Sequence, residues 1–455
     1  MIKEKNIDEE INHIINEVIQ NNTMLRSNHV NDIQNRMEYL SDKLRDLKIS
    51  TEINHDIRIL VKELEFLKLI CYLEKVKEYA LNGEGYCAVL NDYIKALEPI
   101  EEKVPGMSLG IKDSKLNTEV IIYSGYTDSD RTYKIDKDTK FDVASITKMF
   151  TSLLILKMNE YGDYDINKSL KDYSDGEYDV GASIEELLKF KYKIITNGRI
   201  DEDISKEELQ NRLRCLNILS TNTYFYSDIP YILVGTTLNE GYFKEMFNEE
   251  LKLCNTTYHP LGGTTGGNYG RLQKVHDPKA QKLLKYGIYP ASAGLYTTTE
   301  DLLKLFDQLD SGFLKEDSLK TLITPAYKGT VVLDSTGKPI IETKGGKKKY
   351  RNVNRGMGVY IAHPYGIEYT DVPDISSKNA FAASGFTGCY VSYDLDNHIA
   401  TTILANPFSS KEPLLGINNL NNELKKAQYR YVYATRLLDA TGVKIKKKTL
   451  MKFMN

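Results

Sequence analysis

The chain has 455 residues, 41% hydrophobic and 27% charged, which is enough apolar material for a packed core and excludes a disordered polymer. Its 60 basic residues against 63 acidic ones leave a formal charge of -3, so nothing in the overall charge favours nucleic acid or an anionic membrane as a partner. The five cysteines, Cys71, Cys87, Cys215, Cys254 and Cys389, are scattered and form no CxxC or Cys/His cluster, so they read as reduced thiols rather than a disulfide frame or a zinc site.

Residues 1 to about 87 contain few glycines and no proline, and their apolar positions fall at helical spacing among charges. The clearest helix runs from Asp56 to Ala80, where Ile59, Leu60, Leu64, Leu67, Ile70 and Leu73 recur at intervals of three and four. A helical extension docked on the main domain is expected, with a surface for self-association or for a partner as the alternative. The opening residues interleave acidic charge with apolar positions and hold no apolar run of the secretory kind, and Lys62, Glu63, Glu65 and Lys68 interrupt the most apolar long stretch, Ile59 to Leu73. A cytoplasmic protein without a membrane span is expected.

After Pro105-Gly106 the pattern changes to short strand-like runs, Met107 to Ile111 and Glu119 to Gly125, around the turn Lys112 to Lys115. Helical and loop-rich sequence follows, and strand-like runs return at Met357 to His363, Cys389 to Leu395 and His398 to Leu404, before a helix from about Asn419 to Ala440. This order predicts an α+β fold: an antiparallel sheet flanked by helices and interrupted by a helical lobe. The sheet lobe takes residues 88–144 and 311–455 approximately, and the helical lobe 145–310. The lysine-rich tail, Lys444 to Lys452, and the run Lys347 to Lys349 read as solvated, mobile surface.

The informative stretch is Phe141 to Leu156, FDVASITKMFTSLLIL. Ser145 opens a helical run, and Lys148, three residues on, shares its face. A second Ser-x-x-Lys, Ser335 to Lys338, lies in a Gly/Pro turn that cannot fix the two side chains relative to each other. Met149 to Met158 is apolar on nearly every side, so the helix is buried; burial makes an ammonium expensive and is expected to lower the pKa of Lys148, making it a base for the Ser145 hydroxyl.

With its neighbours this stretch resembles the SxxK serine hydrolases of the class C β-lactamase and penicillin-binding protein family, which includes D-alanyl-D-alanine carboxypeptidases and esterases. The resemblance covers roughly residues 88 to 455. It rests on FDVASITKMFTSLLIL, on Tyr226-Ser227-Asp228 within YFYSDIPYILVG, on VHDPKAQKL followed by PASAGLYTTTEDLLKLF, and on Ala383-Ser384-Gly385 within FAASGFTGCYVSYDLDNHIATTILAN. It implies that Ser145 attacks a carbonyl and is acylated, that Lys148 helps to remove its proton, and that Tyr226 passes the proton to the leaving group. It also implies an oxyanion hole from the amides of Ser145 and Phe386, the latter following Ser384-Gly385 on an edge strand. No cofactor and no metal are implied.

Two positions depart from the family pattern. Asp228 stands where the family carries asparagine, and its carboxylate favours a charged Lys148. Ala383 stands where the family carries a cation for the carboxylate of its substrates, so a neutral ester or blocked amide gains relative to a carboxylate-ended substrate. His276 and Asp277 are adjacent and cannot extend in line from Ser145, so His276 reads as a pocket wall. Gly262 to Gly267 lacks the lysine of a phosphate loop and reads as a flexible loop near the cleft. The expectation is a hydrolase of a small ester, amide or peptide; the alternative is an inactive scaffold that binds through its N-terminal helices.

Overall fold

The computed structural model describes residues 55–83, 85–101, 104–127, 130–131, 133–221, 224–260, 265–266, 278–325, 341–344, 347–350, 352–353, 355–362, 368–405 and 417–453. Helices α1 (His55–Leu81) and α2 (Gly85–Glu101) precede strands β1 (Gly106–Asp113) and β2 (Thr118–Gly125). The middle of the chain carries α3 (Thr147–Tyr161), α4 (Ile229–Gly235) and α5 (Thr299–Asp310). Strands β3 (Tyr360–Ile361), β4 (Ala380–Ser384), β5 (Tyr390–Asp394) and β6 (Ile399–Ala405) follow, then α6 (Ile417–Ala440) and β7 (Lys448–Phe453).

The seven strands form one sheet in the order β3-β4-β5-β6-β1-β2-β7. Strand β1 lies between β2, its neighbour in sequence, and β6 from the far end, in register Met107 to Ala405. Neighbouring strands are antiparallel except β7, which runs parallel to β2. The sheet is therefore mixed rather than antiparallel throughout, and the lysine-rich tail expected to be mobile is its last strand. Lys448 pairs with Glu119 at 2.6 Å, and Lys447 donates to the Leu116 carbonyl at 2.7 Å. Lys347–Tyr350, the other lysine run, is one strand of a hairpin with Ile341–Lys344.

Alternation along the strands divides the core in two. On β2, Ile121 and Tyr123 face one apolar cluster while Val120 and Ile122 face the other, as the two-residue period of a strand requires. Strand β6 is buried along its whole length because helices cover both faces of the sheet. One face holds α5, which approaches so closely that a Cβ at Gly110 would sit 2.6 Å from Thr299. The other face holds α6 with α1 and α2, through Leu67, Leu73, Val89, Tyr429 and Leu437. Buried Glu65 accepts from Lys68 at 3.0 Å and Lys426 at 3.1 Å, joining α1 to α6. The described part of the N-terminal segment is thus a piece of the core. No helix among the described residues is long and apolar enough to cross a membrane.

A buried ion pair fastens α6 to this sheet. Arg436 reaches Asp113 with two hydrogen bonds, 2.7 and 2.9 Å, and also donates to the Asn397 carbonyl at 2.7 Å, while Asp113 is 1% exposed. Removing one partner strands the other charge in a dry interior, at a cost of about 3–5 kcal/mol. Asp113→Ala should lower the urea midpoint by an amount corresponding to that loss; an unchanged midpoint would show that solvent reaches Arg436.

Candidate active site

The site is built at the start of α3. Lys140–Asp142 lies between Thr265–Gly266 and Tyr296–Thr297 in a small three-stranded sheet, so part of the glycine-rich stretch expected to be a flexible loop is paired; the rest of Gly262 to Gly267 lies outside the described residues. The Val143 amide donates to the Leu295 carbonyl at 3.0 Å, and Ala144 then takes φ +44°, a left-handed conformation unusual for a residue with a side chain. Its amide is held by the Asp142 carboxylate at 2.8 Å. The turn lifts Ser145 half-exposed onto a single 3-10 turn, from which α3 continues with Thr147 to Leu156 all buried.

One helical turn later, the Lys148 ammonium is 1% exposed. It donates to Ser145 Oγ at 3.1 Å, Asp228 Oδ1 at 2.7 Å and the Ser292 carbonyl at 2.9 Å, three acceptors for its three protons. Burial alone would drive it towards the neutral amine, as expected from the sequence. The structure reverses that direction: the attraction of Asp228, with Tyr226, outweighs burial and raises its pKa above the ordinary lysine value. Asp228 also accepts from Lys279 Nζ at 2.5 Å. Burial pushes its carboxyl upward, but the two lysines prevail and hold it far below the ordinary carboxylate range.

The Tyr226 hydroxyl donates to Ser145 Oγ at 2.8 Å, and its ring packs against Phe190 at 4.9 Å between centroids. Ser145, Lys148, Tyr226 and Asp228 are therefore joined in one hydrogen-bonded group. The third stretch approaches from β4. A Cβ at Gly385 would lie 2.3 Å from the Val143 carbonyl oxygen, and the Thr387 hydroxyl donates to the Asp142 carbonyl at 2.6 Å, so the chain after β4 wraps the turn that carries Ser145. Strand β4 is not the outermost strand, since the two-residue β3 pairs along it. Ala383 is 2% exposed, in the same apolar cluster as Ile146 and Met149, and presents no charge. The Ser384 hydroxyl donates to Asp371 at 2.6 Å, and the Phe386 side chain is largely exposed.

Four participants escape a reading of the sequence. Ser292 contributes a carbonyl, and Asp142 acts through one carboxylate oxygen. Lys279 sits in VHDPKAQKL, three residues after the His276 that drew attention; His276 and Asp277 lie outside the described residues, as does Ser335 to Lys338. Arg355, whose guanidinium carbon is 4.9 Å from the centre of the Tyr226 ring, has no motif around it. A cleft of about 630 Å³ opens beside Tyr226 and Asp228, walled by Ile194, Ile195, Phe225 and Ile229; at its rim Arg199 is neutralised by Asp201 at 2.6 Å. Among the described residues, no group of histidine, cysteine and carboxylate side chains is arranged to hold a metal ion.

The family model Beta-lactamase matches residues 92–421. Protein flp of Staphylococcus aureus (strain NCTC 8325 / PS 47) is 26% identical over 228 residues, covering 44% of this chain and 44% of that protein. Beta-lactamase-like protein 4 of Dictyostelium discoideum is 22% identical over 309 residues, covering 54% of this chain and 52% of that protein. The chain thus spans about half the length of these curated relatives. A class C beta-lactamase in complex with cefoxitin superposes with a TM-score of 0.53 at 14% identity, over 75% of this chain and 98% of that one. A penicillin binding protein from Bacillus halodurans does so at 0.52 and 16%, over 72% and 96%. These likenesses carry the fold, α+β and β-lactamase-like. With the family match running through most of its length and that architecture around Ser145 and Lys148, the chain belongs to the beta-lactamase family of SxxK serine hydrolases.

Proposed function

We propose that this chain hydrolyses an ester or amide through an acyl-enzyme on Ser145. The observation that carries the reading is the convergence of two donors, Lys148 Nζ at 3.1 Å and Tyr226 Oη at 2.8 Å, on the one hydroxyl oxygen. Because Asp228 keeps Lys148 charged, the task of base falls to Tyr226, whose Oη can accept from Ser145 once the hydroxyl proton it donates in this structure has left. Ser145 Oγ bonds to the carbonyl carbon as its proton passes to Tyr226 Oη. The carbon–leaving-group bond then breaks, Tyr226 returns the proton to the departing oxygen or nitrogen, and water reverses the sequence to free the acid. Lys148 stays an ammonium throughout and steadies the negative charge developing on Ser145 Oγ. Gly385 keeps the chain leading to Phe386 against the Val143 carbonyl, which supports the Ser145 and Phe386 amides as the place for the oxyanion.

Three features support a neutral, partly apolar substrate: the uncharged Ala383, the aliphatic and aromatic walls of the cleft, and the internal neutralisation of Arg199 by Asp201. None of the five cysteines is in a disulfide, which supports a reducing compartment such as the cytoplasm.

A fluorophosphonate should label the wild type stoichiometrically, and a chromogenic short-chain ester should turn over. Ser145→Ala should lose the label and roughly a thousandfold or more of the turnover; a label that persists in that variant removes Ser145 from the reaction. An ester ending in a carboxylate should gain nothing over a neutral ester matched in size, where one charge-assisted hydrogen bond would give it about tenfold to a hundredfold; a preference of that size for the carboxylate would show that another group supplies the charge Ala383 lacks. In Asp228→Asn nothing opposes the burial of Lys148 as strongly, so the ammonium loses its proton at a lower pH than in the wild type. The alkaline limb of kcat/KM should move to lower pH accordingly, whereas superimposable profiles would mean that Asp228 does not hold the charge.

A further inference from the structure

Arg355 is 7% exposed, and among the described residues it forms no ion pair. Its Nε is buried without a hydrogen-bond partner. An interior guanidinium left in this state is costly, because burial removes its hydration and no carboxylate replaces it. What surrounds it is aromatic. Its central carbon stands 3.3 Å from the ring centre of Tyr360, 4.9 Å from that of Tyr226 and 5.8 Å from that of Phe190. The groups facing it that can carry charge are Tyr224, Tyr226, Tyr360 and, beyond them, Asp371, whose carboxylate is already committed to Ser384 at 2.6 Å and lies 3.8 Å from Lys425. The Lys148 ammonium stands 5.1 Å from the centre of the Tyr226 ring as well. Two buried cations thus lie within about 5 Å of one phenol ring, and of the two only Lys148 is paired with a carboxylate.

We propose that Arg355 is a positioning residue for acylation: its guanidinium awaits the negative charge that Tyr226 bears when it acts as base, and supplies on the Ser384 side of the site the positive charge that position 383 lacks. This rests on the hydrolase reading above. A packed, aromatic-walled arginine is poorly placed to meet a substrate carboxylate directly, since a ligand would have to displace Tyr360 or Tyr226 to reach it. It is well placed to act on Tyr226, whose ring centre lies 4.9 Å from its guanidinium carbon, and a planar guanidinium stacks on ring faces.

The test uses full-length protein with fluorophosphonate labelling rates and steady-state hydrolysis of a neutral chromogenic ester and its carboxylate-ended counterpart. Arg355→Met should lower kcat and the labelling rate by roughly tenfold to a hundredfold, part of what a positioned base contributes. KM should change little, and the loss should be equal for both esters. Arg355→Lys should recover most of the rate near neutrality but lose it at a lower pH than the alkaline limb of the wild type, because a buried lysine can lose its proton where arginine cannot. That profile decides the matter even if Arg355→Met does not fold. A loss confined to the carboxylate-ended ester and expressed in KM would make Arg355 a substrate-anion site and overturn the proposal. Unchanged labelling in Arg355→Met, or an Arg355→Lys profile identical to the wild type, would reduce Arg355 to a structural residue while the wild-type label keeps the hydrolase reading intact. A wild type that never labels removes both.

Discussion

An ammonium in a dry interior must find acceptors for all its protons or give one up, and Lys148 meets this condition by drawing three segments together. Ser145 comes from the start of its own helix, Asp228 from the residue that opens α4, and the Ser292 carbonyl from the segment leading to the small sheet. Moving any of these away leaves a buried charge short of a partner, so the geometry around Ser145 is over-determined by electrostatics. The carboxylate itself is shared with Lys279, so the site holds two positive charges around one negative one. Asp228 nevertheless keeps Lys148 charged and, in the proposed chemistry, thereby moves the task of base from the amine to the phenol.

Backbone constraints act alongside the charges. Ala144 adopts a left-handed conformation despite its Cβ, and Gly385 has no Cβ because the Val143 carbonyl occupies the space one would need. The two positions are complementary: the strained turn presents Ser145, and the bare glycine lets the chain after β4 close against that turn. The Asp142 carboxylate on the Ala144 amide and the Thr387 hydroxyl on the Asp142 carbonyl hold the arrangement from either side. Such strain persists only where surrounding contacts over-determine it.

Much of this was legible in the chain. The three-residue spacing of Ser145 and Lys148 on a helix apolar all round reports a shared face and burial, and the order of the blocks around Tyr226 and Ser384 points to the fold. What the spacing cannot report is who faces whom. The charge of Lys148 depends on Asp228 and Tyr226, about eighty positions away, so burial alone gave the wrong sign. Lys279 was hidden inside a block whose histidine looked more reactive, and Arg355 meets Tyr226 only in space, from a stretch without periodicity. The final strand was obscured because lysines alternate poorly with apolar residues there, and its partner, β2, lies more than three hundred positions earlier.

The place of β1 in the sheet also governs how the molecule is assembled. One of its neighbours is made immediately after it, but the other, β6, pairs Met107 with Ala405. During translation that flank of β1 has no partner until nearly three hundred further residues have emerged, and closing so long a loop is entropically slow. A nascent chain therefore carries an unpaired central strand through most of its synthesis, and this interval, more than the finished native state, is where chaperones would be needed and aggregation would begin.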